Sequence, residues 1–358
     1  MLLKRSNLAF LLTSAPQKVV VLPDAGSENP FQYELVRYLQ SQGLDVVVGK
    51  KYTIGSTWKG ILTHRPTVLY YDWVHSFILG KSRLWTYLKS LIFVVEILAT
   101  RYLFKIRIVH TLHNLQNHAG LWLRWERFMY GFFLKKCHKI RVYSEETRQT
   151  AIEQFSLLPE RIKVIQDLPY HLYYPNTLSK DECRKRLSLK DDEFVYLFFG
   201  EIKPYKGVSD LIDAFSKIAR PNDRLVIAGK SYDSTFFAPI EKAAQANSSI
   251  LLHHRFIQDD EVQIFFNAAD VVTLPFIRID HSGSIDLTLS FRKPIVTLKT
   301  DATARMLAHQ STLLFETPSQ LPTCLKIAPE LPLETIGDKN FAIADSTNYR
   351  DLTLLTTL

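Results

Sequence analysis

Two lysines stand where an apolar run gives way to an amphipathic stretch: residues 198–215 read FFGEIKPYKGVSDLIDAF. Gly200, Pro204 and Gly207 punctuate a short loop that carries Lys203 and Lys206. A helix start offers unpaired N–H groups and a partial positive charge, and a lysine can reach the same anion. The loop therefore suits a phosphate. It matches neither GxGxxG nor the P-loop spacing, and an ordinary strand-to-helix junction with solvated lysines is the alternative reading. Ser282-Gly283 offers a second phosphate-binding helix start, through backbone N–H and hydroxyl groups. A polar loop over 110–118 holds His110, His113 and His118 with Asn114 and Asn117. With no acidic ligand beside them, these histidines do not make a metal set. Gly26, Asp72 and His75 follow apolar runs directly, as ligand-facing groups or as turn and capping residues.

The elements that must position these groups follow from the apolar pattern. Residues 194–199 have the length and composition of a buried strand, and Val208, Leu211, Ile212 and Phe215 recur at helical spacing. Buried-type strands are also expected at 18–22, 46–48, 67–71, 108–112 and 140–144, then at 224–230, 250–252, 271–275 and 293–297. Strands alternating with helices predict α/β architecture with parallel, right-handedly wound sheets and ligands beyond the strand C-terminal ends. The Pro/Tyr-rich segment 167–176 is the best linker. It separates an N-terminal domain, 1–175, from a second domain, 176–328, and a tail, 329–358.

The 358 residues suit two domains with their own cores. A net charge of +8 admits nucleic acid, an anionic membrane or a phosphorylated substrate as partner, and no nucleic-acid-binding signature selects the first. Cys137, Cys183 and Cys324 form no paired motif, which fits a reducing compartment. Lys4-Arg5 and the broken apolar run 8–15 read as a short leader into the first strand. The stretch 81–107 interleaves aromatic and aliphatic residues with Lys81, Arg83, Lys89, Arg101, Lys105 and Arg107, and 121–136 repeats that chemistry. Neither has the ~20 apolar residues of a membrane span. Basic helices with aromatics and a broad apolar face suit a membrane interface, and two core helices with solvated basic faces are the alternative.

Gly200-Glu201-Ile202, three residues and Lys206-Gly207 resemble the donor loop of group 1 (GT4-like) glycosyltransferases of the GT-B fold, whose pattern is G-R-L/I, three residues, K-G. The similarity runs in order from about residue 19 to 300 and is nearest to bacterial exopolysaccharide and β-mannosyltransferase-like members. It implies two Rossmann-like parallel-sheet domains facing across a cleft. It also implies a metal-independent hexosyltransferase. The co-substrate would be a UDP- or GDP-linked sugar, with no separate cofactor, and the acceptor a lipid-linked or polysaccharide hydroxyl. The family arginine is Glu201 here, so the donor's charge falls to Lys206, with Lys203 as helper. Residues 109–119 resemble a V-H-N-L-x-P-H-E-like segment, so His113, Asn114 and His118 carry over, while Asn117 and Ala119 replace proline and glutamate. A histidine there, His113 or His118, is the expected base. The family's second donor glutamate falls on Leu287, one residue from Asp286, the substitute ribose ligand. The basic-aromatic helices would place such an enzyme in the cytoplasm, peripheral on the inner face of the plasma membrane, and the resemblance implies a tail crossing back to the first domain. An epimerase or phosphorylase of the same fold, or a transferase-like subunit that binds without catalysing, are the rival readings.

Overall fold

The computed structural model describes residues 17–26, 29–51, 54–115, 122–167, 170–171, 173–279, 282–346 and 350–356. Chain contacts divide it into two units: Met1–Ile165 with Tyr349–Leu358, and Gln166–Asn348. The N-terminal leader lies outside the described residues.

In the first unit, β-branched and aromatic runs form β1 (Lys18–Leu22), β2 (Asp45–Val48), β3 (Val68–Tyr71), β4 (Arg107–Thr111), β5 (Lys139–Val142) and β6 (Ile162–Val164). They make one parallel sheet in the order β2-β1-β3-β4-β5-β6. Val19 to Leu22 and Val68 to Tyr71 are fully buried, as strands covered by helices on both faces must be. The strand order reverses between β1 and β3, the point where doubly wound sheets bind ligands. Helix Pro30–Ser41 starts there, with the Asn29 side chain accepting the Phe31 N–H. The C-terminal helix Arg350–Thr356 belongs to this unit: Leu352 and Leu355 are buried, and the Gln17 amide donates to the Thr356 carbonyl.

The second unit repeats the plan with β7 (Phe194–Phe199), β8 (Asp223–Ala228), β9 (Ile250–His253), β10 (Val271–Leu274), β11 (Ile295–Leu298) and β12 (Leu314–Phe315). Its parallel order, β12-β11-β10-β7-β8-β9, reverses between β7 and β10. Helix Val208–Ile218 buries Val208, Leu211, Ile212 and Phe215 against this sheet. At about 1.5–3 kcal/mol each, these four anchors contribute on the order of 6–12 kcal/mol before entropy is counted. The linker region contributes Tyr170 to this unit's core, and the longer helix of the expected tail, Leu333–Ser346, also belongs to this unit.

Candidate active site

The loop after β7 is shaped by backbone approach. Register pairs Phe199 with Ala228, so Gly200 lies beside Gly229, whose φ is +155°. A Cβ on Gly229 would lie 1.9 Å from the Gly200 carbonyl oxygen. A short 3-10 turn, Pro204–Lys206, leads to Gly207 at φ +67°, where a Cβ would lie 2.1 Å from the Pro275 carbonyl oxygen beyond β10. Only glycine fits a left-handed residue against another backbone. The loop is thereby pinned across the β7–β10 reversal, and the Lys206 side chain is drawn inward.

Lys206 is only 8% exposed. Its Nζ lies 3.5 Å from Ser284 Oγ, in the first turn of helix Gly283–Ser290. Burial is the main reason its pKa falls from 10.5 to about 8; Glu201 opposes the shift and Lys203 adds to it. Ser282 caps the same helix by accepting the Ser284 N–H, and Gly283 leaves the helix start open beside the Tyr170 hydroxyl. A largely desolvated ammonium, a hydroxyl and a helix N-terminus converge on one spot. Such a spot attracts a phosphate. Lys203 pairs instead with Glu201 at 2.8 Å, and Asp286, in the first turn of the same helix, is buried at 5% exposed.

In the first unit the C-terminal ends of β3, β4 and β5 bring together residues far apart in sequence. His113 Nε2 lies 3.5 Å from Asp72 Oδ1, and its Nδ1 lies 3.0 Å from the Tyr143 hydroxyl. The Trp73 ring stacks on His113 at 4.7 Å, and Phe31 meets it edge-on at 4.9 Å. Asp72 is buried and accepts from Gln32 Nε2 at 3.3 Å; the same amide donates to the Pro23 carbonyl. Buried Arg141 donates to the Ile165 carbonyl and lies over the Tyr143 and Phe31 rings. Asp72 favours the tautomer with the proton on Nε2, leaving Nδ1 as the acceptor. A hydroxyl replacing Tyr143 at Nδ1 would meet a base whose imidazolium form a buried carboxylate supports.

Of the residues singled out by sequence, Lys206, Gly207, Ser282 and Gly283 share one place in the second unit, with Lys203 at its edge. Gly26 and Asn114 lie in loops beyond β1 and β4; the Gly26 N–H is bonded to Asp24. His118 lies outside the described residues, so His113 is the expected base that the geometry describes. Sequence reasoning missed Tyr143, Trp73, Gln32 and Arg141. It also missed a second histidine–carboxylate pair, His75 Nδ1 with the buried Glu126 carboxylate at 2.6 Å. Among the described residues, no three His, Cys, Asp or Glu side chains gather as a metal set.

Two family models cover most of the chain in succession: Glycosyltransferase Family 4 over residues 30–167 and Glycosyl transferases group 1 over residues 179–327. The chain belongs to the group 1 glycosyltransferases, with the GT-B fold. It is similar to a GDP-mannose:glycolipid 4-beta-D-mannosyltransferase of Xanthomonas campestris pv. campestris, 28% identical over 100 residues, 28% of this chain and 29% of that one. It also resembles an alpha-monoglucosyldiacylglycerol synthase of Acholeplasma laidlawii, 23% identical over 39% of this chain and 36% of that one. The matches thus span well under half the length of these curated relatives. Among solved structures, sucrose-phosphate synthase from Thermosynechococcus elongatus superposes with a TM-score of 0.71 at 14% identity, covering 94% of this chain and 96% of that one. Anabaena Alr3699/HepE in complex with UDP-glucose gives a TM-score of 0.70 at 15% identity, covering 95% and 98%. At such identities the likeness shows the fold.

Proposed function

We propose that this chain transfers a hexosyl group from a UDP- or GDP-linked sugar to a hydroxyl of a lipid-linked or polysaccharide acceptor, in the synthesis of surface or exopolysaccharide. The observation that carries this reading is the buried Lys206 ammonium beside Ser284 at a helix N-terminus. Negative charge builds on the leaving diphosphate as the sugar–oxygen bond breaks, so a preorganised cation and N–H groups there favour the transition state over the ground state. In this reading Lys206 and the Gly207 and Ser282-Gly283 backbone do that work without a divalent metal. Asp286 is proposed to meet the donor ribose. His113, set by Asp72, takes the acceptor hydroxyl proton, and Asn114 and Gly26 line the acceptor side. The similarity to a GDP-mannose:glycolipid mannosyltransferase and to an alpha-monoglucosyldiacylglycerol synthase favours a lipid-linked acceptor.

A peripheral site of action, on the inner face of the plasma membrane, is part of the proposal. Helix Arg83–Leu98 leaves Leu84, Leu88, Leu91 and Val95 exposed, and Tyr102, Leu103 and Phe104 continue the patch. Among the described residues no helix is long and apolar enough to cross a membrane. An exposed apolar face with flanking cations suits the bilayer interface.

The test is transfer of labelled sugar from UDP- and GDP-hexoses into a lipid extract, with and without a metal chelator. Incorporation should survive chelation. His113→Ala should lower turnover about 10²–10⁴-fold, and Asp72→Asn should lower it as well, both leaving nucleotide affinity intact. Sugar released or isomerised without incorporation would favour the epimerase class, and absence of nucleotide binding would favour a non-catalytic subunit. Either result refutes the proposal.

A further inference from the structure

Helix Arg83–Leu98 carries two neighbouring rows of side chains. Leu84, Leu88, Leu91 and Val95, spaced by four, three and four, face solvent; Leu84 is 80% and Leu91 62% exposed. One residue later along the chain, Trp85, Lys89, Ile92 and Glu96 repeat the same spacing and line a cavity of about 270 Å³. Rows offset by one residue lie about 100° apart around a helix. Whatever covers the outer row therefore reaches the cavity's edge. Trp85 belongs to both surfaces, since it lines the cavity and is partly exposed; Ile54, also a lining residue, is exposed as well.

The walls are chiefly Ile54, Phe77, Trp85, Ile92 and Phe93. The two charged side chains of the lining are already accommodated. Lys89 Nζ donates to the Ser76 and Leu79 carbonyls, so its methylene stem faces the cavity rather than an uncompensated charge. Glu96 accepts the Trp58 N–H at 3.4 Å, and burial raises its pKa from 4.5 to about 7. Both charged groups are thus partnered within the protein, and the remaining walls of the cavity are mostly apolar. Outside it, Lys81, Arg83 and Lys105 are exposed around the apolar row, and Trp85, Tyr87 and Tyr102 supply amphipathic rings. Cations and aromatic rings around an apolar face complement anionic headgroups and the acyl boundary beneath them.

We infer that this cavity seats one hydrocarbon chain of an anionic membrane lipid, with the headgroup left among the surrounding lysines and arginines. The inference deepens the membrane part of the proposed function, and rests on it for the lipid's access. It assigns the inner row of the helix to a single chain and the outer row to the bilayer surface.

The full-length protein is titrated with decanoyl, dodecanoyl and tetradecanoyl lysophosphatidylglycerol, each below its micelle concentration, and with glycerophosphoglycerol as the chain-free control. Calorimetry and tryptophan emission read binding. Saturable one-to-one binding is expected, tightening about three- to fourfold per methylene until the cavity is full, with negligible binding of the control. Ile92→Trp, and Ser76→Leu as a second filling variant, should weaken binding at least about tenfold. Both should still bind vesicles of phosphatidylcholine with phosphatidylglycerol, and a thermal melt with UDP and GDP titrations compared with wild type confirms their fold. The double variant Leu84→Ser/Leu91→Ser should show the reverse: vesicle binding lost and lysolipid binding kept. Equal binding of the chain-free control, no dependence on chain length, or unchanged binding by folded filling variants would overturn the inference. Lysolipid binding without wild-type vesicle binding would instead remove the membrane reading, and failure of both UDP and GDP titrations on wild type would remove the donor site alone.

Discussion

Replacing Lys206 with methionine should move stability and donor affinity in opposite directions. The ammonium is buried beside Ser284, and the gap between 10.5 and about 8 corresponds to about 3 kcal/mol of disfavour toward the charged form. Below pH 8 both folded and unfolded chains carry the proton, so that cost is fully present. Between about 8 and 10.5 the folded state releases it first, and the cost fades. Lys206→Met, of similar length and uncharged, should therefore stabilise the nucleotide-free protein by up to about 3 kcal/mol near neutral pH. The gain should vanish in alkali. The same variant should lose about 1.5–3 kcal/mol of diphosphate binding, about 10–150-fold in Kd. Wild-type affinity should fall by as much as tenfold per pH unit above pH 8, because binding must then take up a proton, and the variant should lack that slope. Urea melts across pH, paired with UDP and GDP calorimetry, measure both quantities. A destabilised variant with unaltered nucleotide affinity would show that Lys206 is a structural hydrogen-bond donor to Ser284 and would refute the reasoning.

Gly207→Ala places a methyl 2.1 Å from the Pro275 carbonyl at φ +67°, so urea unfolding should show a loss of about 2 kcal/mol or more; a neutral result would mean that the turn relaxes freely. Glu96→Gln removes a carboxyl whose folded pKa is raised to about 7, so wild-type stability should fall as pH rises from about 4.5 to 7. The variant should gain up to about 3 kcal/mol above that window and nothing below it, measured by melts across pH; a gain independent of pH would contradict a burial-driven shift.

Ten of the twelve strands were legible because each holds a short run of buried apolar residues, and helix Val208–Ile218 because four anchors recur on one face; β6 and β12, of three and two residues, are too short to show such a run. The helices Leu333–Ser346 and Arg350–Thr356 were not. Gly337 sits in the first of them, where a Cβ would lie 1.9 Å from the Arg292 carbonyl oxygen, so close packing rather than helix propensity explains its sequence. The Asp72–His113–Tyr143 group was legible only as separate strand-end residues. Its members are 41 and 30 positions apart and meet because Tyr71 pairs with His110 across β3 and β4, while β5 continues the parallel sheet.

The donor loop shows most plainly what sequence leaves undecided. A carboxylate at position 201 removes a cation from the expected pattern, which left the charge to Lys206 with Lys203 as its helper. In the folded chain Lys203 reaches back to Glu201, and both side chains remain well exposed. An exposed pair of this kind contributes about 0–1 kcal/mol and is screened by salt, so it nearly cancels its own charge at the loop's edge. Burial, not the number of basic residues, then sets the loop's chemistry: the left-handed turn at Gly207 sends Lys206 inward, and desolvation brings its pKa to about 8. An ammonium already stripped of most of its water loses little further hydration when a diphosphate arrives. One buried lysine at the sheet reversal can therefore supply an attraction that several solvated ones could not.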